Sequence, residues 1–87
     1  MPTPKPFNGH HCWNCWNVAL WIGNDESLYL SAVECTRRPR KDGRKVSPNL
    51  AALRFARDVM PCTSRTPDGA RYTHRAVRAA LAALMED

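Results

Sequence analysis

The run from Cys12 to Tyr29, CWNCWNVALWIGNDESLY, constrains the fold more than any other part of this 87-residue chain. It holds all three tryptophans and two of the four cysteines. Apolar residues occupy nearly every side of a helix drawn through its first half, and other elements pack against such a helix. At about 12 residues this helix is far shorter than the roughly 20 needed to span a bilayer. The run therefore predicts a buried first helix.

Local signals predict three further helices. Gly23 favours the end of the first helix, and Asn24 or Asp25 is placed to cap the second. Ser47 and Thr73 are suitable N-caps for a third and a fourth helix. The predicted helices cover residues 12–23, 25–36, 48–60 and 74–85.

Apolar spacing of three and four residues assigns an inward face to each of these later helices. The residues expected to point inward are Leu28, Tyr29, Ala32 and Val33, then Ala52, Leu53, Ala56, Val59 and Met60, and finally Val77, Ala80, Leu81 and Leu84. The predicted fold is all-α: a small single-domain bundle of about four helices around a buried, tryptophan-rich first helix. We expect this domain to span 12–87, behind a flexible, proline-containing arm at 1–11.

The overall charge points to an anionic partner. The chain has a formal net charge of +5 and a sequence pI of about 9.4. These values exclude an acidic mimic of DNA and suit nucleic acid or an acidic protein surface. No apolar run fits a signal peptide, a membrane span or a lipidation signal, so we expect a cytoplasmic protein without a membrane partner.

The Cys12-x-x-Cys15 pair suggests two alternatives. With His11 it could supply zinc ligands, but a zinc domain needs a second close pair, and Cys35 and Cys62 lie far apart in the sequence. The favoured interpretation is that Cys12 and Cys15 are small core residues, so no cofactor is expected. A thioredoxin-like role is disfavoured because no strand precedes the pair.

The remaining polar residues do not form a recognisable catalytic set. No histidine is spaced with a serine, cysteine or carboxylate as acid–base or nucleophilic catalysis requires. The eight acidic residues stand singly, at helix starts or at the chain end. We therefore expect a protein that is not an enzyme and has no small-molecule substrate.

The segment 37–45, RRPRKDGRK, carries six cations among nine residues. Pro39 and Asp42-Gly43 break a helix there, so the segment is expected to be an exposed loop. Its cations could follow a phosphate backbone or clamp carboxylates, although such a charge run also serves simply to solvate a loop.

Further arginines could extend this basic surface. Arg54 and Arg57 lie on the third helix, and Arg71, Arg75 and Arg78 would line one face if the fourth helix began early. The predicted partner-binding residues are Arg37, Arg38, Arg40, Lys41, Arg44, Lys45, Arg71, Arg75 and Arg78. A helix-turn-helix is excluded because roughly a dozen residues separate the third and fourth helices, where that motif has three or four.

The three tryptophans should differ in burial. Trp13, Trp16 and Trp21 point in different directions on one helix. We expect two of them in the core, and the third, Trp13 or Trp21, to be partly exposed as an interface anchor.

From Trp16 to Tyr29 the sequence WNVALWIGNDESLY resembles a family of short proteins of unknown function encoded by phages and other mobile elements. The hallmark of that family is a T-W-N-V-A-L-W-I/L-x-N-D-E-x-L-Y core followed by a T-P-D-G turn, here at 66–69. The resemblance covers roughly 13–70. Cys15 departs from the pattern by replacing the usual threonine, and the family supplies no catalytic residues.

The resemblance implies a non-enzymatic inhibitor that binds and blocks a bacterial defence complex, as anti-CRISPR proteins do. Its basic residues would engage an acidic protein face or compete for nucleic acid. The alternative is a small basic nucleic-acid-binding regulatory protein, stapled by zinc through Cys12 and Cys15. A third hypothesis is an accessory protein that dimerises through an exposed tryptophan.

Overall fold

The computed structural model describes residues 12–86, so the predicted arm at 1–11 and the last residue lie outside the described part. Four α-helices form the domain: α1 Trp13–Asn24, α2 Glu26–Arg37, α3 Pro48–Asp58 and α4 His74–Met85. The predicted all-α class is confirmed. None of the described helices has the length and apolarity needed to cross a membrane.

Three helices begin where their capping residues predict. Asp25, Ser47 and Thr73 each accept, through a side-chain oxygen, a hydrogen bond from the backbone N–H three residues further on, at 3.0, 3.1 and 3.2 Å respectively. Each bond satisfies an amide that the first turn of a helix leaves without a partner. Of the two predicted caps for α2, Asp25 is the one used. The helix α3 ends at Asp58, before the predicted end at residue 60.

The helix α4 packs against each of the other three, while α1 packs against α2 and α4, and α2 also packs against α3. The small side chains of Ala76 and Ala80 on α4 are buried, which allows its neighbours to approach closely. All four helices contribute to one core, whose largest apolar members are Val18, Ile22, Phe55, Tyr72, Val77 and Leu81.

The prediction of an inward position is wrong for two residues. Leu53 is 53% exposed and Tyr29 is 41% exposed. In α3 the fully buried Phe55 takes the central place, which turns Leu53 outward because the two residues lie about 200° apart on a helix. The larger ring removes more apolar surface from water, so it decides which face of α3 points inward.

The tryptophans of α1 differ in exposure, but the expectation that two of them lie in the core is wrong, because none of the three belongs to the buried core. Trp13 is 42% exposed and is the partly exposed member, whereas Trp16 and Trp21 are half-buried. Val18 and Ile22 supply the fully buried part of this helix. Trp21 also has a polar contact, which ties α1 to the loop between α3 and α4.

This loop is fastened to α1 through Asn17, a polar residue that is only 1% exposed. The Asn17 side-chain oxygen accepts a hydrogen bond from the Thr66 hydroxyl at 2.6 Å, and its amide nitrogen donates to Asp68 Oδ2 at 2.9 Å. Trp21 Nε1 donates to the same Asp68 oxygen at 2.9 Å. Both partners of the buried amide therefore come from the T-P-D-G turn.

The turn has the backbone geometry needed to present these groups. The Thr66 N–H donates to the Ala70 carbonyl at 2.7 Å, and the Ala70 N–H donates to the Thr66 hydroxyl at 3.0 Å. Gly69 lies between them at φ +95°, in a region that glycine adopts without steric cost. This closed turn points Asp68 towards α1.

A second contact continues the attachment. The Asn14 side chain pairs with the Arg71 backbone in both directions, accepting from its N–H at 3.0 Å and donating to its carbonyl at 2.9 Å. The next residue, Tyr72, is 2% exposed and stacks on Phe55 with ring centroids 6.2 Å apart. An isolated antiparallel bridge joins Arg65 and Arg71 in the same loop.

Replacing Asn17 by alanine should lower the free energy of unfolding by about 1–3 kcal/mol, because the Thr66 hydroxyl would lose its acceptor inside the protein. Urea unfolding followed by circular dichroism measures this change. Asn24→Ala is the matched control: it removes an exposed asparagine and should change stability by no more than about 0.5 kcal/mol. Equal effects of the two substitutions would contradict the assigned role of Asn17.

Hydrogen bonds from Asn17 and Trp21 lower the pKa of the Asp68 carboxyl below its ordinary 3.8. A carboxyl whose pKa is lower in the folded state stabilises the protein above its unfolded pKa, and this contribution disappears as pH falls through the folded value. Asp68→Asn should therefore be less stable than the original chain at pH 7. The difference in urea midpoint should shrink as the pH falls below about 4. A difference that is constant with pH would contradict this account.

Candidate basic docking surface

The loop from residue 38 to 47 joins α2 to α3, and Arg54 holds its first part in place. Arg54 is 8% exposed, and its guanidinium donates to the carbonyls of Cys35 at 3.1 Å, Arg38 at 2.6 Å and Pro39 at 3.5 Å. The last carbonyls of a helix have no partner within it and carry partial negative charge. Arg54 satisfies these groups, so the start of the loop has a defined position.

The interpretation of Arg54 as part of an exposed basic surface is therefore wrong. Its hydrogen-bond partners are backbone carbonyls of another element, which no local sequence pattern reveals. The one available signal is its position immediately before Phe55, on the side of α3 that turns towards the core. Arg57, on the exposed side, pairs with Asp58 at 2.8 Å instead.

Three of the five cations in this loop already have carboxylate partners within the protein. Arg38 pairs with Glu34 and with Asp58, the latter at 3.3 Å, and Arg40 pairs with Asp42 at 2.8 Å. Arg44 lies 4.0 Å from the same Asp42 side chain. The hydrogen bond from Arg57, together with one from Arg38, lowers the pKa of Asp58 to about 2, so this carboxylate stays ionised at neutral pH.

The other two loop cations, Lys41 and Lys45, are exposed, and so is Arg37 at the end of α2. Within residues 12–86 no carboxylate lies within ion-pair distance of any of them. Their charge is therefore free to act on a partner, and their long side chains are not committed to a contact inside the domain.

An open groove of about 500 Å³ lies between this loop and the first turns of α3. Its lining is mixed: Leu50 and the exposed Leu53 are apolar, whereas Arg40, Lys41, Asp42, Asn49 and Arg54 are polar or charged. Ser47, at the start of α3, also lines it. Because the N-terminal end of a helix carries partial positive charge, α3 adds to the positive potential of the groove.

The geometry suits a ligand with an apolar group flanked by negative charge. Leu50 and Leu53 can contact an apolar side chain of a partner, and Lys41 can pair with a carboxylate. We call this site, formed by the groove and the neighbouring Arg37 and Lys45, the basic groove. The basic segment of the sequence predicts the cations of this site. It does not predict the position of Leu53, which is exposed in the groove instead of lying in the core.

Three of the predicted basic residues lie elsewhere. The helix α4 begins at His74 rather than earlier, so Arg71 belongs to the bridge with Arg65 and does not share a helix face with Arg75 and Arg78. Arg71, Arg75 and Arg78 are all exposed, and none of them lines the groove. The predicted basic set thus separates into the basic groove and a second group at the start of α4.

The cysteine pair lies at the N-terminal end of α1, with 3.7 Å between the sulfur atoms of Cys12 and Cys15. Cys15 is buried, as expected, whereas Cys12 is half-buried. The third predicted zinc ligand, His11, lies outside the described residues. In the part of the chain that the structure describes, no group of three or more His, Cys, Asp or Glu side chains is arranged to hold a metal ion.

These features define a small all-α domain that carries a basic groove on one surface. A family model described as a family of unknown function, DUF7249, matches residues 3–87, and the chain belongs to this family. No curated protein and no solved structure matches the chain. The structure also shows that the two motifs of the resemblance meet, since Asn17 and Trp21 of the first bind Asp68 of the second.

Replacing Arg54 by methionine should lower the free energy of unfolding by about 1–3 kcal/mol, because the carbonyls at the end of α2 would lose their buried donor. Methionine keeps most of the side-chain length, so the loss reports on the guanidinium. Arg78→Met, at an exposed position, should change stability by no more than about 0.5 kcal/mol. Guanidinium chloride unfolding compares the two variants, and an equal loss in both would contradict the role of Arg54.

Proposed function

We propose that this protein is a non-enzymatic inhibitor, encoded by a phage or another mobile element, that binds and blocks a bacterial defence complex in the host cytoplasm. It would act as anti-CRISPR proteins do, by occluding a surface that the complex needs. The observation that carries the binding part of this proposal is the basic groove. The choice of target rests on the resemblance at 16–29 and 66–69.

The groove supports an acidic protein surface as the partner. An apolar side chain of the partner would sit against Leu53 and Leu50, and a carboxylate beside it would pair with Lys41. The exposed Arg37 and Lys45 would increase the association rate by attracting the acidic surface from a distance. The bound domain would then exclude guide or target nucleic acid by its bulk.

Two observations favour a protein partner over nucleic acid at this site. Three of the loop cations lie close to carboxylates of the domain, and one of these carboxylates, Asp42, lines the groove. A surface that follows a phosphate backbone gains its affinity from many available cations. The two lining leucines, in contrast, can contact an apolar side chain, as in the core of a protein interface.

Reversing the charge of Arg37, Lys41 and Lys45 to glutamate should abolish inhibition, because these cations would repel an acidic partner. The assay is phage plaque formation on bacterial strains that each carry one active defence system. The original chain should restore plaques in at least one strain, and the triple variant should not, at equal expression and with an unchanged helical circular dichroism spectrum. Charge reversal of Arg71, Arg75 and Arg78 is the matched control and should leave inhibition intact.

Leu53→Asp and Leu30→Asp provide a second matched pair in the same assay, since both leucines are exposed on helices and only Leu53 lines the groove. Binding to the complex captured from the sensitive strain should weaken at least about tenfold for Leu53→Asp alone. Failure to restore plaques in any strain would overturn the inhibitor function. Capture that disappears after nuclease treatment, with binding to free DNA or RNA that falls steeply with salt, would instead indicate a nucleic-acid-binding protein.

A further inference from the structure

The cysteine pair at the start of α1 has a geometry that the docking function does not use. Cys12 is the N-cap residue, with extended backbone dihedrals, and its side chain caps no amide. Cys15 lies in the first turn and is 3% exposed. Their sulfur atoms are 3.7 Å apart, so the two thiols face each other across one helical turn.

The surroundings make the two thiols unequal. The nearby backbone amide of Cys15 lowers the pKa of Cys12, burial opposes this shift, and the positive charge of Arg75 adds to the lowering. Burial raises the pKa of Cys15. A thiolate is the nucleophile in disulfide chemistry, and positions at helix N-termini near an arginine favour it. The more accessible sulfur, Cys12, is therefore also the more nucleophilic one.

We propose that Cys12 and Cys15 form a redox-active dithiol that exchanges with low-molecular-weight disulfides such as glutathione disulfide. Cys12 is the attacking residue and Cys15 the resolving residue. This activity is independent of the basic groove and of the proposed inhibitor function.

In the first step the Cys12 thiol releases its proton to solvent, and the thiolate attacks one sulfur of the small disulfide. A bond forms between Cys12 and that sulfur, the small disulfide bond breaks, and one small thiolate leaves and takes a proton. Cys15 then releases its proton, attacks the Cys12 sulfur and expels the second small thiolate, which is also protonated. The two cysteines are oxidised to one disulfide, and the small disulfide is reduced to two thiols.

The geometry allows the ring to close. The two sulfur atoms are 3.7 Å apart. A disulfide bond is about 2.05 Å long, so they must approach each other by about 1.7 Å. Cys12 lies outside the helical dihedral region, and rotation about its side-chain bond moves its sulfur without breaking a hydrogen bond of α1. The pair lies at the start of a helix in an all-α domain, and thiol–disulfide exchange requires only the two facing sulfurs and access to one of them.

The other two cysteines need separate treatment in the test. Cys62 is exposed and would form its own mixed disulfides, whereas Cys35 is 1% exposed and is shielded from small reagents. All test proteins therefore carry Cys62→Ser. Cys35 serves as an internal indicator of folding, because it becomes reactive only if the domain opens.

The Cys62→Ser protein is incubated with glutathione disulfide, and the products are identified by intact mass and peptide mapping. The expected product lacks two hydrogen atoms, contains a bond between Cys12 and Cys15, and returns to the dithiol with dithiothreitol. With Cys15→Ser added, Cys12 should hold one glutathione as a stable adduct. With Cys12→Ser added instead, Cys15 should react at least about tenfold more slowly than Cys12 does.

Two results would overturn the proposal. One is that the Cys62→Ser protein keeps both thiols or stops at a glutathione adduct on Cys12 without closing the ring. The other is that Cys15 reacts as fast as Cys12 while Cys35 remains unlabelled, which would remove the assigned roles of the two thiols in a folded protein.

Discussion

The buried side-chain amide of Asn17 is the interaction on which the rest of this fold depends. It binds Thr66 on one side and Asp68 on the other, and so fixes a loop that has little regular structure of its own. With the loop fixed, Tyr72 reaches Phe55 in the core and α4 starts at a defined point. A buried amide left without these partners would cost free energy, so the turn and α1 stabilise each other.

Arg54 performs the equivalent task for the other long connection. Its buried guanidinium donates hydrogen bonds to backbone carbonyls at the end of α2 and at the start of the loop that follows. These bonds fix the position of the first residues of the loop. A basic loop in a defined position loses less conformational entropy on binding than a flexible one. The groove proposed for docking therefore depends on the buried Arg54, which also lines it, and the exposed Leu53 adds an apolar side chain to the lining.

The sequence predicts the local part of this structure and misses the part that joins distant residues. Helix positions and caps follow from Asp25, Ser47 and Thr73 because a cap and its amide are three residues apart. The inward face of α3 was assigned wrongly because Leu53 and Phe55 both fit an apolar period, and only the packed core decides between them. Asn17 and Asp68 are 51 residues apart, so their contact is visible only in the fold. The ion pair between Arg38 and Asp58 likewise joins residues 20 positions apart and is visible only in the fold.

Through Asn17, the loop between α3 and α4 belongs to the same cooperative unit as the helices. Amide hydrogen exchange, followed residue by residue by nuclear magnetic resonance, tests this directly. We expect the amides of Ala70, Arg71 and Tyr72 to open with the same free energy as those of Phe55 and Leu81 in the core helices. If the loop amides exchange orders of magnitude faster than the helix amides, the loop opens on its own and the claim is contradicted.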